Sequence, residues 1–196
     1  DLAYRAAPVV SALPAASAAL AGVIARLSTD NKPYWCDGTA WVDMTLLGSA
    51  DTRLTTARLA ADVTNNTTTL TNVTGLAIAL AANSTYTIDA KVMFQTAATA
   101  TGIRLTQTAP AGATVVAQWN TPTSLTARTL ANQRAADTGA ATTGVDVANA
   151  NTLACGSLLV MTGATAGNLQ IRFASEVAGS NAVVKAGSHL VATKVA

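Results

Sequence analysis

Ser84–Gln95 reads STYTIDAKVMFQ, and these twelve residues decide the fold class. Tyr86, Ile88, Ala90, Val92 and Phe94 occupy every second position. Thr87, Asp89, Lys91 and Gln95 fill the gaps. A period of two places alternate side chains on opposite faces of a strand, so this is a half-buried antiparallel strand with one apolar face. Working outward, GIRLTQT (102–108) continues the pattern after a loop, and ATVVAQWN (113–120) follows a turn at Pro110 and Gly112. LACGSLLVMTG (153–163) is more continuously apolar and reads as a central strand. GATAG (163–167) reads as a hairpin turn. NLQIRFASEV (168–177) alternates again, with Leu169, Ile171 and Phe173 inward, and AVVKAGSHLVATKV (182–195) closes the chain as one or two strands. Turn signals recur at spacings of roughly 8–12 residues with no long helical pattern between them, the signature of a sandwich or jelly roll. Residues 121–151 are a long ordered loop or weak strands. The polar run TNNTTTLTN (64–72) is a strand edge or loop.

The expected organisation is therefore all-β. An antiparallel β-sandwich, jelly-roll-like, spans 57–196. Residues 1–50 form an N-terminal arm plus a β-hairpin docking unit, and GSADTRLTT (48–56) is the linker. Pro8 and Pro14 break the Ala-rich stretch 1–22, so the arm is extended rather than helical and is ordered by contact with a neighbouring chain. Leu13–Leu27 is apolar enough to resemble a secretory signal. Pro14 interrupts it and it runs straight into a strand-like segment, so it reads as mature structure.

The hairpin is PYWCDGTAW (33–41), which concentrates two tryptophans, a tyrosine and a cysteine in a chain with only 4% aromatics. Asp37-Gly38 between two strand-like runs predicts a two-residue primed turn. That register sets Cys36 against Thr39, Trp35 against Ala40 and Tyr34 against Trp41. Tyr34, Cys36, Thr39 and Trp41 then share one face and Trp35 points the other way. Tyr34 and Trp41 are a cross-strand aromatic pair. Tyr34, Trp35 and Trp41 are the candidate interface residues, and Trp35, Trp41 and Trp119 are candidates for stacking on a sugar.

Composition excludes several functions. Only 11% of residues are charged, well under the roughly 25% of an average soluble protein. The twelve Lys and Arg are scattered, so the basic stripe that nucleic-acid binding needs is missing. Mean hydropathy is +0.34, yet no run approaches the ~18–20 apolar residues of a membrane-spanning helix. Cys36 and Cys155 read as buried free thiols or as one disulfide, within or between chains. One histidine and two distant cysteines do not make a zinc site, and the acids are isolated. Ser188 and His189 are neighbours on a strand and so point to opposite faces, which rules out a nucleophile–base pair. Arg172 and Glu176 stand about 13 Å apart along one strand and cannot pair with each other. The Asn-X-Thr sequons at Asn65, Asn66, Asn72 and Asn83 are adequately explained by a composition rich in Asn and Thr. The expectation is no catalytic, cofactor-binding or metal-binding residue.

Two stretches carry a family resemblance. DNKPYWCDGTAWVDM (30–44) resembles the short hairpin units of tailed-bacteriophage fibre and virion proteins. GNLQIRFASEVAGSNAVVKAGSHLVATKV (167–195) is similar to the C-terminal strands of a β-sandwich domain common in phage virion proteins, and residues 63–105 look like its opening strands. Cys36 and His189 depart from that pattern. The resemblance implies a homotrimeric, non-enzymatic structural protein of the virion, a capsid decoration or head-fibre protein, with other virion proteins of capsid or tail as partners. The alternatives are a tail-fibre or receptor-binding module that takes a host-surface glycan, or a bacterial carbohydrate-binding adhesin domain. A glycosidase would need two carboxylates facing across a cleft.

Overall fold

In the computed structural model, residues 7–44, 53–135, 137–139 and 141–195 are described. The chain divides into two compact units, Asp1–Asp51 and Thr52–Ala196. Of the expected linker, 48–52 lies outside the described residues, and so do residues 1–6 of the expected arm.

The first unit is one four-stranded sheet in the order β1-β2-β3-β4: Val9–Val10, Ile24–Leu27, Pro33–Cys36 and Trp41–Asp43. β1 runs parallel to β2, and the other pairs are antiparallel. The arm expected to rest on a neighbouring chain is thus part of this sheet. Arg26 N donates to Pro8 O at 2.9 Å and Ser28 N to Val10 O at 2.8 Å.

The second unit is the expected all-β sandwich. Its strands are β5 (Leu54–Arg58), β6 (Val63–Asn65), β7 (Thr71–Leu80), β8 (Thr85–Thr96), β9 (Ile103–Thr108), β10 (Thr114–Pro122), β11 (Arg128–Gln133), β12 (Thr152–Met161), β13 (Gly167–Ser175), β14 (Ala182–Val184) and β15 (His189–Lys194). β5 takes up 54–56, residues expected in the linker. A three-stranded sheet, β7-β13-β9, faces an eight-stranded one built on β8. β12, β10 and β11 follow on one side of β8. On its other side β15 pairs its first half, Tyr86–Lys91, and β14 its last three residues. Ser188 fills the gap between those partners: its Oγ accepts from Met93 N at 3.0 Å and donates to Lys185 O at 2.8 Å.

The chain repeatedly crosses between layers, at β6–β7, β7–β8, β8–β9, β9–β10, β12–β13 and β13–β14, which is the jelly-roll-like character of the body. Residues 163–167 are consequently an arch joining two sheets and not a hairpin turn. The inward rows of both sheets merge into one core around Phe94, Phe173, Trp119, Ile88, Ile171 and Leu169, each large side chain contributing roughly 1.5–3 kcal/mol by leaving water. In β7 the inward phase slips between Val73 and Leu76 at a bulge. Gly75 sits there at φ +101°, a region that excludes most side chains. The Gln170 amide bridges the bulge to Val73 O and Leu76 O.

The described residues among 134–145, ambiguous in sequence, run along the free edge of β9. Thr142 N donates to Ile103 O, Ile103 N donates to Thr142 Oγ1, and Asp137 N donates to Gln107 O. The loop lies so close that a Cβ on Gly102 would fall 1.7 Å from Thr142 O. Covering an edge in this way stops it from pairing with another chain.

Candidate functional site

Two surfaces stand out, one in each unit. In the first unit the Asp37-Gly38 signal forms a hairpin of a different length. The pairing is Cys36 with Trp41, Trp35 with Val42 and Tyr34 with Asp43. The loop therefore holds Asp37–Ala40, four residues and not two. Asp37 Oδ1 is the reason: it accepts from Thr39 N at 2.7 Å, Ala40 N at 2.7 Å and Thr39 Oγ1 at 2.8 Å. These bonds, that to Thr39 N first, hold the Asp37 carboxyl below the usual carboxylate range. An aspartate that satisfies a turn of its own removes the need for a primed two-residue turn.

The register slips by two residues, an even number, so face membership survives. Tyr34, Cys36 and Trp41 still share a face and Trp35 still opposes them, but Tyr34 and Trp41 are diagonal neighbours and not a direct pair. The arm lies across the Tyr34 face: Trp41 Nε1 donates to Pro14 O at 2.7 Å, and Gly22 N to Cys36 O at 2.8 Å. Cys36 is fully buried and free, and Cys155 is free and half-buried. At the far end, Tyr34 OH donates to Asp30 Oδ2 at 2.7 Å, while Lys32 Nζ meets Asp43 Oδ2 at 2.8 Å. The Tyr34 hydroxyl pulls the Asp30 carboxyl down and is itself pushed up by it. The opposite face carries the row Ile24–Trp35–Val42, with Val9 and Arg26 beside it. Trp35 and Val42 are half-buried there, and Ile24 is 40% exposed.

Trp119 is not a sugar-stacking residue. It is 1% exposed, lies against Gly156 in the core and donates from Nε1 to Gln107 Oε1 at 3.0 Å. With no ring face in water it has no surface to offer a sugar. Arg172 finds its acid in the edge-covering loop, pairing with Asp137 and donating to Leu70 O at 2.7 Å. Glu176 accepts from Gly102 N at 3.0 Å. Ser188 points inward, at 1% exposure, and His189 outward. Among the described residues no group of His, Cys, Asp and Glu is placed to hold a metal ion.

The second surface is the outward face of the eight-stranded sheet, which the sequence reading missed. β12 is central, between β10 and β8, but only its inward row is buried. Leu153, Leu159 and Met161 face water at 49%, 41% and 44% exposure, beside Val116 at 50% and Leu130 at 58%. The continuous apolar run in 153–163 is the sequence signal for this face: its alternate residues Leu153, Leu159 and Met161 point outward. Beside Leu159 and Val116 lies a shallow depression of about 340 Å3, lined also by Thr87, Asp89, Gln118 and Ser157.

No family model and no curated protein matches the chain. Among solved structures it is similar to infectious bursal disease virus, Gx strain, at 13% identity with TM-score 0.21 over 80% of this chain and 38% of that one. The Gt strain of the same virus gives 14% identity and TM-score 0.16 over 80% and 40%. The chain thus spans about two-fifths of the length of those viral chains.

Proposed function

We propose that the chain is a non-enzymatic structural protein of a bacteriophage particle, a capsid decoration or head-fibre protein that assembles as a homotrimer and docks through its N-terminal unit. The observation that carries this reading is a division of labour. The body is a dense sandwich whose large sheet exposes Leu54, Val116, Leu130, Leu153, Leu159 and Met161 on its outward face. The small unit is a separately tied sheet with half-buried Trp35 on the face opposite Tyr34. Both features suit a protein that works by contact with other chains, because exposed apolar rows of this kind mark interaction surfaces. The sequence resemblance at 30–44, 63–105 and 167–195 supplies the virion context.

Trp35→Ser in the full chain tests the docking half. The expected result is an unchanged native mass with loss of co-sedimentation with phage particles. Undiminished decoration would sink it. The half-exposed Trp35 row also favours a second reading, stacking on a host-surface glycan, which predicts that the same variant loses binding on a glycan array.

A further inference from the structure

The outward face of the large sheet can be read row by row from the strand registers. One row is Leu54–Thr193–Thr87–Leu159–Val116. The next is Thr56–Val191–Asp89–Ser157–Gln118–Asn132. The third is Arg58–His189–Lys91–Cys155–Asn120–Leu130, and a fourth contains Met93 and Leu153. We propose that this face binds a second copy of this chain, the two sheets packing face to face about a twofold axis that lies between the second and third rows, perpendicular to the strands.

Three features fit that occupant. The first is charge. The axis exchanges the second and third rows, so Asp89 of each copy meets Lys91 of the other. Neither residue is in an ion pair among the described residues. The second is shape. The depression sits over the rows with Thr87, Ser157 and Val116, whereas the longer Lys91, Met93, Leu153 and Leu130 stand on the other two. The exchange sets long side chains over short ones and Leu159 against Leu153 of the second copy. The third is area. The six strands that supply these rows have 5, 6, 12, 10, 9 and 6 residues, which at ~3.4 Å rise and ~4.8 Å spacing cover on the order of 800 Å2, close to the ~800 Å2 that each partner buries in a stable interface. Six of the thirteen exposed large apolar side chains among the described residues, Leu54, Val116, Leu130, Leu153, Leu159 and Met161, lie on this face. A twofold contact is isologous, so one patch serves both partners.

The proposal shares only self-association with the trimer reading, and light scattering on the full chain separates them. Leu159→Glu, Asp89→Lys, Lys91→Asp and the swap Asp89→Lys/Lys91→Asp are the variants; all change side chains on the outward face, and circular dichroism checks the fold. The expected result is an even number of protomers, halved by each single variant and restored by the swap. A fall from two to one supports this contact and ends the trimer; a fall from six to three supports both. Three protomers indifferent to every variant overturn the proposal and leave the trimer standing. A monomeric wild type ends both. Halving without rescue by the swap overturns the twofold pairing of Asp89 with Lys91.

Discussion

Trp119 and Trp35 are the same residue type on alternating strands, and their fates differ. In the body Trp119 lies between two sheets with its indole nitrogen satisfied by Gln107 and no ring face in water. In the N-terminal unit Trp35 is half-buried in the row Ile24–Trp35–Val42 of a single sheet. The difference is layers. A sandwich covers the inner face of each sheet with the other, whereas a single small sheet has one face to tie down with its own chain and one left over. Here the arm takes the Tyr34 face, through Trp41 and Pro14. The body draws stability from its core; the small unit relies on hydrogen bonds, a covering arm and the part-buried Lys32–Asp43 ion pair.

The sharpest test of that contrast is paired truncation. Trp119→Ala removes a fully buried indole and leaves Gln107 Oε1 without its donor, so the body should lose about 3–5 kcal/mol, or roughly 10 °C of its melting temperature. Trp35→Ala should leave that transition within a degree or two. Calorimetry decides between them, and equal shifts would break the comparison. Next in size is Gly102→Ala. Its Cβ would collide with the Thr142 carbonyl, so the edge-covering loop must move, at a cost of about 1–3 kcal/mol. Faster amide exchange along β9, with none in the N-terminal unit, is the expected signature.

A smaller effect belongs to the arm. Trp41→Phe keeps an aromatic ring but loses the indole N–H and its bond to Pro14 O, worth about 1 kcal/mol. Elastase should then cut faster within residues 11–22 while the body resists as before; unchanged cleavage would mean the arm is held by other contacts. The smallest effect is acid sensitivity. Asp30 is held down by the Tyr34 hydroxyl and Asp37 by Thr39 N, and in the body Asp62 is held down by Lys185 and then by Ala186 N. A lowered carboxylate stabilises above its unfolded value of ~3.9 and loses that contribution as pH falls through the lower folded value. Both units should therefore weaken only below about pH 4. The small unit, with two such groups and less core, should go first, as Trp35 and Trp41 fluorescence against body circular dichroism would show. Asp62→Asn should flatten the body's acid limb and leave the small unit's unchanged.

Some of this was legible without a structure. Tyr86, Ile88, Ala90, Val92 and Phe94 are all buried as their alternation requires, and the all-β class follows. Strand alternation is a local property: each residue's face is set by its neighbours along the chain. The face shared by Tyr34, Cys36 and Trp41 was readable for the same reason, and it survived a register two residues out. Only the tertiary structure decided the rest. Asp37 could close a two- or a four-residue loop until its side-chain bonds chose. The apolar run 153–163 could be covered on one face or on both. Trp119 could be a surface ring or a core ring, and the arm could belong to this chain or another. Each of these depends on which distant segment arrives opposite, and alternation along a strand carries no information about what packs across from it.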